Sequence, residues 1–159
     1  MSNRKAPVDH PILPLMQERW SPRALTNTAI PANTVLTLLE AARWTPSASN
    51  IQPWGFIIDE AGSASFAQTL TYLKPGNLPW ARNAALLGVA LVNENRPDGT
   101  RNPHAEYDVG QAVAYLTLQA ASEGLYVHQM AGFLPEKVQE HAGLPEGWRA
   151  LTMFAIGGL

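Results

Sequence analysis

The sequence predicts an α+β fold, with helices covering a central sheet. Three observations predict it. Helical and strand-like apolar patterns alternate along the chain. Pro and Gly punctuate nearly every segment. Its 159 residues and 46% hydrophobic content suit a single domain with a real core.

The elements follow in order. Ile30-Pro31 opens a helical pattern that runs to about Trp44. Val35, Leu38, Leu39 and Ala42 fall on one face, and Thr45-Pro46 stops it. Trp54 to Ile58 reads as a strand. Ala64 to Leu73 reads as a helix ended by Lys74-Pro75-Gly76-Asn77. Ala84 to Val92 is continuously apolar, as in a strand buried on both faces. Asn93 to Pro103 is a polar loop. Tyr107 to Glu123 is the strongest helix, apolar over most of its circumference and therefore set in a core or an interface. Gly124 is its stop. Leu125 to His128 is a short strand. Pro135 to Ala142 is a short helix closed by Gly143, and Leu151 to Ile156 is a last strand. The whole chain, 1–159, reads as one domain, with residues 1–12 as a flexible N-terminal segment. The chain closes on Gly157-Gly158-Leu159, directly after that strand.

Composition excludes several classes. The net charge is −2 and there is no Lys/Arg block, which argues against nucleic acid as a partner. Cysteine is absent, so disulfides, thiolate metal sites and cysteine nucleophiles are excluded. His10, His104, His128 and His141 lack metal-ligand spacing, so no metal is expected. Neither a dinucleotide nor a Walker glycine loop occurs, nor a G-x-S-x-G elbow. The N-terminus lacks an apolar stretch long enough for a signal peptide, and no run is long enough for a membrane span. A soluble cytoplasmic protein is expected.

Three constellations could carry chemistry. In "ERWSPR", Arg19, Ser21 and Arg23 alternate, so an extended backbone points them one way. Two guanidiniums and a hydroxyl make a phosphate receptor. The competing reading is a solvated pair in which Glu18 neutralises one arginine. In "RWTPSASNIQPWGFII", Ser47, Ala48 and Ser49 are small enough for a flat ring to approach the backbone. Asn50 and Gln52 each offer a donor and an acceptor, matching the edge of a flavin pyrimidine or a nucleobase. Trp44 and Trp54 could wall such a site. The competing reading is an ordinary Asx turn. In "HQMAGFLPEKV", Ala131-Gly132 lies between a strand and a helix, where glycine permits close approach and an N–H could donate to a ligand. A plain connection fits equally well. Asp108 begins a helix and reads as structural, a carboxylate at the positive end of the dipole.

Together, "RWSPR", "LLEAARWTPSASNIQPWGF", "YDVGQAVAYLTLQAASEGLYVHQMAGF" and "AIGG" resemble the nitroreductase family of FMN-dependent oxidoreductases, in order and spacing from about Glu18 onward. The resemblance implies a mixed, mainly antiparallel sheet flanked by helices. It also implies an intertwined homodimer with FMN at the subunit interface. By position, Arg19, Trp20, Ser21 and Arg23 match the segment that holds the FMN phosphate and ribityl chain. Pro46, Ser47, Ala48, Asn50 and Gln52 match the loop that the partner lays along the flavin. Met130, Ala131 and Gly132 match the turn whose backbone N–H reaches flavin N5. FMN itself would carry the chemistry, with no catalytic side chain required.

The implied activity is ping-pong transfer from NADH or NADPH to a small acceptor such as a nitroaromatic or a quinone. Family members usually continue past the last strand with basic residues that add to the phosphate site, so the ending at Leu159 reads as short. The loop from Val92 to His104 is also short, which implies an open pocket. Two other readings stand beside this one. One is a flavin-binding or scaffold protein without turnover. The other is a nucleotide-binding module that uses the same amides for a base.

Overall fold

The computed structural model describes residues 4–159. Four strands form one sheet in the order β1-β2-β4-β3: β1 Trp54–Glu60, β2 Leu86–Asn93, β3 Tyr126–Met130 and β4 Trp148–Gly157. All three pairings are antiparallel. The helices are α1 Pro14–Glu18, α2 Ala32–Arg43, α3 Ala64–Leu70, α4 Leu78–Ala81, α5 Ala105–Ser122 and α6 Pro135–Ala142. Among the described residues, no helix is long and apolar enough to cross a membrane.

β2 explains why its sequence is apolar without alternation. Leu86, Ala90 and Val92 pack with Leu38 and Ala42 of α2 and with Val109, Val113 and Leu116 of α5. Leu87, Val89 and Leu91 face the other layer, with Phe66 of α3, Ala81 of α4 and Val138 of α6. Helices on both faces make every position apolar, whichever way the neighbouring strands run. Gly88 is required here. A Cβ on it would lie 2.2 Å from the ring of Phe154, its cross-strand partner.

The boundaries depart from the sequence expectation in physically readable ways. α3 ends at Leu70 because the chain tightens into i→i+3 bonds, from Thr71 N to Gln68 O and from Tyr72 N to Thr69 O. Leu73 then bridges to Phe133. β1 runs on to Glu60 because Asp59 finds a buried partner, the Thr69 hydroxyl at 2.7 Å. β4 starts earlier, at Trp148, and is irregular opposite Ala90 and Leu91. There Arg149 joins Glu94, at 2.9 Å, and also Glu106 at the start of α5. α1 and α4 carry only one turn each and had no periodicity to reveal them.

The expected flexible segment 1–12 falls partly outside the described residues, at 1–3. Within it, Ala6 and Gln17 exchange two hydrogen bonds, at 2.9 and 3.0 Å, and Lys5 meets Glu18 at 2.7 Å.

Candidate active site

The arginine segment follows α1. Arg19 leaves that helix in an extended conformation. Its guanidinium donates to Ser21 Oγ at 3.4 Å, so Arg19 and Ser21 do share one side of the chain. Trp20 points elsewhere, meeting Tyr126 edge to face at 6.1 Å with the Arg4 guanidinium on its ring. The reading in which Glu18 neutralises an arginine does not hold. Glu18 is taken by Lys5. Among the described residues, no carboxylate pairs with Arg19 or Arg23, and both are exposed. Two exposed guanidiniums without a counter-charge fit an anionic ligand.

The same segment is moored to the β3 edge. His128 Nδ1 lies 2.9 Å from Pro22 O; a carbonyl only accepts, so Nδ1 carries the proton and donates. Thr26 pairs with Gly158 in a short bridge, and its N–H donates to Gly158 O at 3.0 Å. Gly157 permits this approach, because a Cβ there would sit 2.6 Å from Thr26 O.

The turn after β3 begins just beyond Met130, two residues on from His128, whose ring lies tilted against Trp80 of α4 at 4.4 Å. Met130 is buried and ends the strand. The Gly132 carbonyl is held twice, by Lys74 N at 3.0 Å and by Asn77 Nδ2 at 3.1 Å. A Cβ at Gly132 would meet that same Asn77 amide at 2.8 Å. The N–H groups of Ala131 and Gly132 donate to nothing among the described residues. An anchored carbonyl with unspent N–H groups beside it is a backbone donor in waiting, as a flavin N5 contact requires.

The amide loop sits elsewhere. Pro46 leads into a short 3-10 turn, Ala48–Asn50, that feeds β1. Ser49, Asn50 and Gln52 all have positive φ, at 53°, 54° and 54°. Asn tolerates this region, whereas Ser and Gln seldom enter it. Local bonds hold the shape: Asn50 N to Ser47 O, Gln52 N to Ser47 Oγ, and Gln52 Nε2 to Asn50 Oδ1 at 2.9 Å. The last of these pairs the two amides with each other. It leaves Asn50 Nδ2 as a donor and Gln52 Oε1 as an acceptor, the alternation a pyrimidine edge requires.

Of the two tryptophans, Trp54 packs on the core under α2 and α5, while Trp44 is 75% exposed and ties its indole N–H to Glu40. An open groove of about 380 Å³ runs past Arg43, Trp44, Pro46, Asn50 and Gln52.

The fold therefore brings two of the three predicted groups together. Arg19, Ser21, Arg23 and the Met130–Gly132 turn share the β3 edge. The loop adjoins β1, at the opposite edge, three strand spacings or about 14 Å away across the sheet. One residue was under-read. Asp108, only 2% exposed, accepts a hydrogen bond from Ala48 N at 3.1 Å. Its place at the start of a helix was legible, but a contact spanning sixty residues leaves no local signal.

The Nitroreductase family profile matches residues 16–64 and 58–158, nearly the whole described chain. The chain belongs to the nitroreductase family. It is similar along 100% of its length to a crystal structure of an oxidoreductase containing FMN, at 33% identity and a TM-score of 0.93, covering 82% of that protein. A nitroreductase family protein from Clostridium novyi NT shares the fold at 21% identity and a TM-score of 0.78, over 91% of this chain and 84% of that one. Among curated proteins, an uncharacterised 15.4 kDa protein of the ask 5′ region of Mycolicibacterium smegmatis is 35% identical over 100 residues. That match takes in 63% of this chain and spans just under two thirds, 66%, of the relative.

Proposed function

We propose that this chain is an FMN-dependent oxidoreductase that takes electrons from NADH or NADPH. It passes them to nitroaromatic, quinone or related small acceptors in a ping-pong cycle. The observation that carries this reading is the β3 edge. There, among the described residues, two exposed guanidiniums have no paired carboxylate, and the turn at the end of the same strand has an anchored carbonyl and N–H groups that donate to nothing. Family membership and the full-length likeness to an FMN-containing oxidoreductase support it.

FMN, when bound, supplies the hydride acceptor and donor that no side chain here provides. Arg19, Ser21 and Arg23 would hold its phosphate through charge-assisted bonds, and Trp20, its ring packed on Tyr126, would back the segment along the ribityl chain. The Ala131 and Gly132 N–H groups would donate toward N5. Pro46, Ser47, Ala48, Asn50 and Gln52 would meet the ring.

The separation of this loop from the arginines supports a homodimer with shared sites, in which each loop serves the other copy's flavin. The exposed Leu36, Trp44, Tyr107 and Tyr115 on and beside α2 and α5 give such an interface apolar surface. A cytoplasmic setting, where reduced nicotinamide is available, accords with this activity.

The absorbance spectrum of the purified protein tests the reading. The flavin bands should be present, or appear on adding FMN, and NADH or NADPH should bleach them without oxygen. A colourless protein that takes up no FMN overturns it.

A further inference from the structure

Among the described residues, every hydrogen bond of residues 47–52 but one is local, joining the loop to itself. Local bonds define a shape but cannot set where that shape stands on the protein. The exception is Ala48 N to Asp108 Oδ2. Asp108 lies in the first turn of α5 and is itself buried, so its carboxylate is held in place by the helix, while the contact it makes with Ala48 is part-buried. The loop is also strained at Ser49 and Gln52, and strained backbone persists only where its surroundings hold it.

We propose that Asp108 is a positioning residue: by holding Ala48, it sets how Asn50 and Gln52 present their free donor and acceptor to a flavin ring. The assignment of the ring contact rests on the function proposed above. The hold on Ala48 does not.

Asp108 touches no ligand in this scheme and acts only through the loop. An Asp that merely capped α5 would support the helix and leave the loop alone. The two roles separate experimentally. Asp108→Ala removes the acceptor. Asp108→Asn keeps an oxygen for Ala48. Ala48→Pro removes the donor from the other side. It suits the site because Ser47 before it is already extended, as a residue preceding proline prefers.

The experiment combines amide hydrogen exchange with FMN titration on the full-length protein. In Asp108→Ala, exchange at Ala48 should speed up by about tenfold or more, with or without flavin. FMN affinity should fall by about tenfold in both Asp108→Ala and Ala48→Pro, and Asp108→Asn should recover most of it. Combining Asp108→Ala with Ala48→Pro should cost little beyond either alone, because both cut the same bond.

Unchanged exchange at Ala48 in Asp108→Ala overturns the proposal. So does a fully additive loss in the double variant. Should Asp108→Ala fail to fold, Ala48→Pro decides: wild-type FMN affinity there overturns the proposal equally. If wild-type protein binds no FMN, the proposed function fails, and the exchange measurement still decides whether Asp108 holds the loop.

Discussion

On the β3 edge, Arg19 leaves α1 extended, no residue from Arg19 to Arg23 has positive φ, and both arginines are exposed. Its mooring is spread over Pro22, Thr26 and Trp20, each meeting a different partner. On the β1 edge, the Ser47–Gln52 loop is strained at Ser49 and Gln52 and, among the described residues, hydrogen-bonds to the rest of the chain only through Ala48 and Asp108. The difference matches the ligand groups each would meet. A phosphate is bound by charge, which tolerates small displacements because the attraction falls off slowly with distance. A ring edge is read by hydrogen bonds, which fail within a few tenths of an ångström or a few tens of degrees. On the proposed assignment, the side that would read direction is the side whose backbone is held in an unusual shape.

The largest expected effect tests the charge side. Arg19→Ala and Arg23→Ala should each weaken FMN by about 1.5–3 kcal/mol if a charge-assisted bond is lost. Riboflavin, which lacks the phosphate, should bind the variants and the wild type alike. Titration by flavin fluorescence checks both. Equal losses for the two ligands would mean that the arginines support the segment and do not bind phosphate.

Next comes the mooring. Gly157→Ala places a methyl against Thr26 O, at 2.6 Å in the present geometry, and should cost about 1–3 kcal/mol of stability by overpacking. FMN affinity should fall with it, while hydrogen exchange at Ala48 should stay as in the wild type. If exchange in the loop rose as well, the two edges would be mechanically coupled and the contrast between them would not stand.

A smaller effect belongs to the amides. Asn50→Ala or Gln52→Ala should weaken flavin binding by about 0.5–1.5 kcal/mol, the net worth of one neutral hydrogen bond. The loss should be the same for FMN and riboflavin, opposite to the pattern for the arginines. A loss confined to FMN would move these residues to the phosphate.

How much of this was legible in the sequence follows the range of the signal. α6 was read to the residue, because Pro135 and Gly143 mark both of its ends. β2 was read as buried on both faces from its composition alone, and α5 from its apolar circumference. The candidate site residues stand out as motifs, and the expected placement of Arg19 and Ser21 on one side of the chain is what the structure shows. Glu18 was open between two fates, and Lys5 decided it. What the sequence hid is what depends on pairing at a distance or on unusual backbone. Nothing local says that Asp108 reaches Ala48. Nothing local says that Ser49 and Gln52, two residues that seldom adopt positive φ, both do so here.

The smallest effect probes that strain directly. Ser49 sits at φ 53°, ψ 24°, which costs a residue with a Cβ about 1–2 kcal/mol. Ser49→Gly relieves this but frees the unfolded chain, an entropic cost of about 0.5–1 kcal/mol. The two nearly cancel. Ser49 donates or accepts no side-chain hydrogen bond among the described residues and is exposed, so no contact is lost. Thermal unfolding should therefore shift by less than about 1 kcal/mol in either direction. Flavin affinity should fall slightly, because the glycine loop samples more shapes before it binds. A Ser49→Gly variant that binds flavin more tightly would show that the left-handed turn opposes binding. The strain on the β1 edge would then be an obstacle to reading the ring, and the contrast with the unstrained arginine edge would reverse its meaning.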